Sequence, residues 1–141
     1  MIVVLQTVPA TLRAIQRALG ERENVFYTSE HRQALNHVRD NEPLLDRTIV
    51  IMSNLYPNEM VEGSMIAAGI KGMRPDAWCI LYTSERPFPG PSVDGVIDKM
   101  DDSVPAGCIR VLADAGIDDP ERIPDLETLY TMFPWIQRPA R

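Results

Sequence analysis

Three short runs of the chain are apolar with almost no polar alternation: residues 2–5 (IVVL), 48–52 (TIVIM) and 78–83 (WCILYT). An alternating pattern buries one face of a strand, whereas a continuous apolar run predicts a strand covered on both faces. Residues 24–28 (NVFYT) are rich in β-formers, and residues 93–98 (VDGVID) read as a shorter, weaker strand. Helical spacing fills the intervals. Pro9 pre-sets a helix start, Leu12, Ile15, Ala18 and Leu19 fall on one face, and Gly20 stops the helix. Ser29 is the expected N-cap of a second helix with Ala34, Leu35 and Val38 inward. Residues 63–70 form a third with a small-residue face, closed by Gly72. A last helix is capped by Asp102 or Ser103, with Pro105 in its first turn, Ile109, Val111 and Leu112 apolar, and Gly116 at its end. Strands and helices that alternate in this way predict an α/β domain, a parallel sheet with helices on both faces.

One link breaks the pattern. Residues 84–92 (SERPFPGPS) carry Pro87, Pro89 and Pro91, and proline at alternate positions forbids a regular helix. Parallel crossovers usually take a dozen or more residues, mostly helical. Either a tight extended crossover joins these strands, or the weak strand sits elsewhere. The character changes again after the last helix, dividing the chain into an α/β domain over residues 1–117 and an extension over 118–141. The extension is proline-rich and bunches Leu126, Leu129, Met132, Phe133 and Trp135. A short helix from about residue 124 to 132 could pack back on the domain, and the same residues suit a docking tail or a linker.

Composition narrows the partners. The 141 residues carry a net charge of −6, and the 14 basic ones form no run. Phosphate neutralisation needs clustered Lys and Arg, so direct binding to nucleic acid or to an anionic membrane is not expected. Cys79 and Cys108 stand far apart in apolar surroundings and read as small core residues, as suits a reducing cytoplasm. The first residues show neither a basic leader nor a long apolar run, and no stretch approaches the length of a membrane span. The expected location is therefore the cytoplasm.

Open parallel sheets bind ligands at the carboxyl ends of their strands, which directs attention to Gln6, Thr7, Ser53, Asn54, Thr83, Ser84 and Lys99. Elsewhere the chemistry is sparse. His31 and His37 are six residues apart on one helix, hence on opposite faces, and match neither a metal pair nor a base beside a nucleophile. There is no dinucleotide-binding glycine pattern, P-loop, nucleophile elbow or paired-cysteine motif. Asp101, Asp102, Asp118 and Asp119 read as cap and loop charges.

The segment TIVIMSNLYPNEMVEG resembles the third strand and following loop of bacterial response-regulator receivers, with Pro57 at the proline that follows the phosphorylated aspartate. CILYTSE resembles that family's fourth strand, ending in its hydroxyl residue (Thr83), and VIDKM its fifth, ending in its lysine (Lys99). The resemblance spans about residues 1–116. It implies a flavodoxin-like (CheY-like) three-layer sandwich with a five-stranded parallel sheet in the order 2-1-3-4-5, the fourth helix being shortened or replaced by the proline-rich loop. It also places Ser53 where the aspartate belongs, and Gln6 and Thr7 where two acidic residues bind magnesium. Phosphoryl transfer needs that metal to offset developing charge, and magnesium prefers carboxylates. The expectation is therefore a pseudo-receiver: not an enzyme, without cofactor or metal, acting through a protein partner such as a regulator or a kinase, with a homodimer as an open alternative. Phe88, Phe133 and Trp135 are its candidate contact residues, because exposed aromatics anchor interfaces. Two other readings stay open: a small α/β enzyme with Ser53, Asn54 and Lys99 in its pocket, or an oligomerisation module of a larger regulator.

Overall fold

The computed structural model describes residues 1–41, 47–53, 55–56, 61–84, 90–100 and 106–139. The chain runs β1 (Ile2–Leu5), α1 (Pro9–Leu19), β2 (Val25–Thr28), α2 (His31–Asp40), β3 (Ile49–Met52), β4 (Leu55–Tyr56), β5 (Val61–Glu62), α3 (Gly63–Met73), β6 (Trp78–Thr83), β7 (Gly95–Asp98), α4 (Cys108–Gly116) and α5 (Leu126–Met132). A five-stranded sheet has the order β2-β1-β3-β6-β7, every pairing parallel. Counting only its own strands, that is 2-1-3-4-5, the flavodoxin-like arrangement.

The continuous apolar runs are explained by two cores. Successive residues of a strand point to opposite faces. Ile2, Val4, Ile49, Ile51, Ile80 and Ile97 pack with Ile15, Leu19, Ile109 and Leu112 under α1 and α4. Val3, Leu5, Val50, Met52, Cys79, Leu81 and Val96 pack with Ala34, Val38, Ile66, Ala67 and Ile70 under α2 and α3. A strand with both faces covered has no polar position to spare, so β1, β3 and β6 are buried at every residue. Among the described residues no helix is long and apolar enough to cross a membrane.

Several local expectations change. The hydroxyl at the start of α2 belongs to Thr28, not Ser29: it accepts from the Glu30 N–H at 3.1 Å and donates to Gln33 Oε1 at 2.7 Å. The last strand of the sheet is shorter than residues 93–98, because Asp94 is held by bonds that precede the β7 ladder. Asp102, Ser103 and Pro105 lie outside the described residues, and α4 begins only at Cys108, behind Gly107. On α4 Val111 points outward, 51% exposed, while Ile109 and Leu112 are buried. A small antiparallel pair, β4 with β5, has no counterpart in the sequence reading, since two residues are too few to show a period. The β6–β7 link is a parallel crossover, with Ile80 opposite Gly95 and Thr83 opposite Asp98. Its described residues carry no helix, and Gly90 takes a left-handed φ of 67° there.

The extension after α4 packs on the domain. Asp125 caps α5, its carboxylate accepting from the Thr128 N–H at 2.8 Å. Ile123, Leu129, Phe133 and Ile136 join the core beneath α1 and α4. Val96 and Gln137 then exchange two backbone hydrogen bonds, 2.9 and 2.8 Å, so the extension covers the edge of β7. Glycine is required at that contact. A Cβ on Gly95 would lie 2.6 Å from Ile136 Cγ2, closer than atoms can pack. Gly95→Ala is therefore expected to cost about 1–3 kcal/mol through overpacking. Amide exchange at Val96 and Gln137 should accelerate more than exchange in β1 and β3; equal rates at all four places would show that the contact is not the weak point.

Candidate functional site at the strand ends

The carboxyl ends of β1 and β3 lie side by side, since Leu5 pairs with Met52. Ser53 follows β3 and continues the ladder, its N–H donating to Leu5 O at 2.9 Å. That register brings its hydroxyl to the first residues beyond β1. Ser53 Oγ donates to Gln6 Oε1 at 3.0 Å and accepts from the Thr7 N–H at 3.0 Å. Gln6 and Ser53 are buried, whereas Thr7 is half-buried. Gln6 Nε2 is also buried and meets no hydrogen-bond partner. Amide and hydroxyls thus knit the two strand ends into one neutral cluster.

Two strands away, the Lys99 N–H donates to Thr83 O at 3.1 Å, so these residues stand together at the ends of β7 and β6. Thr83 is buried. Lys99 is half-buried, and its ammonium turns toward α1, 3.4 Å from Thr11 Oγ1. Asp98 is exposed and folds back on the chain, its carboxylate accepting from the Met100 N–H at 2.9 Å. Gln6, Thr7 and Ser53 form one bonded group, and Lys99 and Thr83 a second. Asn54 lies outside the described residues. Among the described residues no group of three or more His, Cys, Asp or Glu side chains gathers as a metal site would.

The aromatic contact residues fare differently. Phe88 lies outside the described residues. Phe133 is no exposed anchor: it is 6% exposed and part of the core, because the extension folds back over α4 and β7. Trp135 is half-buried and packs on it, ring centres 5.1 Å apart. The exposed large apolar side chains are instead Val8, Met65, Met73, Met100 and Val111 among the described residues. Three of these, Val8 before α1, Met65 in the first turn of α3 and Met100 after β7, stand at the same end of the sheet as Gln6 and Lys99.

Among the described residues, several titratable groups elsewhere are held by packing. His37 stacks on Phe26 with ring centres 4.1 Å apart, and burial holds its pKa below the ordinary imidazole value. Burial likewise pushes the Cys79 thiol up to about 12 and that of Cys108 to about 11. Thiolates are the reactive species, so both cysteines should resist alkylation at pH 8 in the native protein and react fully once unfolded. Rapid native labelling of either would contradict its burial.

Thr11 and the Lys71–Asp94 pair were missed from the sequence. Lys71 Nζ lies 2.7 Å from Asp94 Oδ2, on α3 and just before β7, at the amino ends of the strands. No spacing rule pairs residues that meet only through a crossover. The architecture is that of an α/β flavodoxin-like domain with a polar cluster at its strand ends. No family model, curated protein or solved structure matches the chain.

Proposed function

We propose that the chain is a regulatory domain of the response-regulator receiver type that works without aspartyl phosphorylation, through contact with a protein partner. The observation that carries this reading is the cluster at the ends of β1 and β3, where an amide and hydroxyls fill positions at which phosphotransfer needs carboxylates. A serine hydroxyl that already donates to Gln6 is neither an aspartyl acceptor nor a magnesium ligand of the usual kind. The exposed side chains of Val8, Met65 and Met100 at the same end offer a surface whose apolar area a partner would cover.

The test is a backbone amide NMR spectrum with beryllofluoride, a phosphoryl mimic, recorded with and without Mg²⁺. No Mg²⁺-dependent shift is expected at Thr7, Ser53, Thr83 or Lys99. A saturable shift that requires Mg²⁺ would remove the basis of the proposal. A photo-crosslinking residue placed at Met65 or Met100 should trap a discrete partner in cells, while the same residue at Val111 should not.

A further inference from the structure

A helix on the surface of a domain turns its apolar side inward and its charged side to water. The helices α1 and α2 obey this rule, exposing Arg13, Gln16 and Arg17 on one and Arg32, Asn36 and Arg39 on the other. The helix α3 does not. Its inner face is buried through Ile66, Ala67 and Ile70, yet its exposed residues are Met65, Ala68, Gly69, Gly72 and Met73, none of them charged. Met65 is 58% exposed and Met73 39%, two of the five large apolar side chains left in water among the described residues.

Glycine inside a helix weakens it, because glycine loses the most backbone freedom on folding. Gly69 has an internal reason to be there: a Cβ would meet Leu35 Cδ2 of α2 at 3.3 Å. Gly72 has none. Its φ is not left-handed, the helix continues through it to Met73, and a Cβ would meet nothing within 4 Å. An open notch therefore interrupts an exposed apolar face, at a place where the domain itself gains nothing from it. A glycine within a helix usually answers to packing or function.

The spacing of the face shows what fits it. Met65, Ala68 and Gly72 recur at i, i+3 and i+7, on one side of the helix. A two-fold axis demands a patch complementary to itself. Set antiparallel about an axis beside Ala68, two copies of α3 bring Met65 of each opposite Gly72 of the other. The largest exposed side chain of the face then enters the notch, and Ala68 lets the backbones approach at the crossing. Antiparallel helices also place each positive end beside a negative one. Two chains of net charge −6 repel over most of their surface, and this face lets them meet without opposing like charges. We propose that α3 is the contact face of a homodimer, in which Met65 of each copy packs into the notch at Gly72 of the other. The proposal does not depend on how the strand ends work, and so stands apart from the receiver reading. A crosslinker at Met65 would then also trap a second copy, whereas one at Met100 would not.

Sedimentation equilibrium of the intact protein, run from micromolar to millimolar concentration, is the experiment. A reversible monomer–dimer equilibrium is expected. Gly72→Glu should weaken it by about a hundredfold, since each copy would bury an unpaired carboxylate. The open space at Gly72 allows that variant to fold, which its far-ultraviolet spectrum and Tm check. Should it unfold, Met65→Glu, at an exposed side chain, carries the same expectation. Val111→Glu, on the exposed side of α4, should leave the dimer unchanged. Ala68→Cys should form an intermolecular disulfide under mild oxidation and Val111→Cys should not, the native Cys79 and Cys108 being buried. A chain that stays monomeric to millimolar concentration overturns the proposal. So does a dimer that survives Gly72→Glu and Met65→Glu, or one that Val111→Glu disrupts equally. Binding of a monomer to neutral phospholipid vesicles through Met65 and Met73 would overturn it too, by giving the face another occupant. A Mg²⁺-dependent beryllofluoride response would instead refute the receiver reading alone.

Discussion

Phe133→Ala is expected to lower the unfolding free energy by about 3–5 kcal/mol, the usual cost of deleting a buried aromatic ring. For a domain of this size that is a fall in Tm of roughly 10–20 °C. The ring is buried in the core shared by α1 and α4, packs on Trp135, and lies between α5 and the Gln137 bridge to β7. Losing it should loosen the whole extension. A chain ending at Ile117 would lack Ile123, Leu129, Phe133 and Ile136 together, each worth about 1.5–3 kcal/mol of burial. Net stabilities are only about 5–15 kcal/mol, so the shortened chain should not fold cooperatively. Denaturant unfolding of Phe133→Ala, with Trp135→Ala as a half-buried comparison, measures this. A Phe133→Ala loss below about 1 kcal/mol would mean that the extension is peripheral, and would support the division at residue 117.

That division illustrates how far the chain can be read without coordinates. Continuous apolar runs locate β1, β3 and β6 because burial on both faces leaves a pattern confined to the strand itself. Pro9 and Gly20 bound α1 for an equally local reason, the fixed φ of one and the left-handed φ of the other. The extension is different. The helix α5 is legible from its apolar spacing, but nothing in residues 118–141 says which surface they cover. That depends on Gly95 admitting Ile136, a contact between segments some forty residues apart in sequence. The aromatic Phe133, read from sequence as a contact for another protein, is satisfied within its own domain for that reason.

The candidate site is legible to a similar limit. Knowing that strand ends bear ligands is enough to pick Gln6, Thr7, Ser53, Thr83 and Lys99. Parallel register then brings the first three into one bonded group. What sequence cannot supply is direction: whether Lys99 points to Ser53 or across to Thr11, and which atom of Gln6 is left over. Those facts arise from side-chain choices at the ends of strands, where alternation no longer dictates them.

Asp94→Ala should be the most damaging substitution of a charged residue, costing about 3 kcal/mol. The carboxylate is 9% exposed; its Oδ2 accepts from Lys71 Nζ at 2.7 Å and from the Cys79 N–H at 2.8 Å. Its backbone N–H donates to Cys79 O at 2.8 Å, and its carbonyl accepts from the Tyr130 hydroxyl. One residue therefore ties α3, β6 and α5 to the start of β7. Alanine takes that one acceptor from both donors at once, leaving a buried N–H and an ammonium that has only the Ala77 carbonyl among the described residues. Breaking a buried pair costs about 3–5 kcal/mol, and the lower end applies because Lys71 keeps 22% of its side chain exposed. Adding Lys71→Met should recover part of the loss, since it removes the stranded charge; the two changes would then be non-additive by about 1 kcal/mol or more. Salt should matter little, because screening acts weakly on a partly buried pair. Asp94 lies at the amino end of β7, opposite Gln6 and Lys99, so the variant separates stability from function. Additive losses, or a pair that weakens steeply with salt, would instead place the contact among ordinary surface charges.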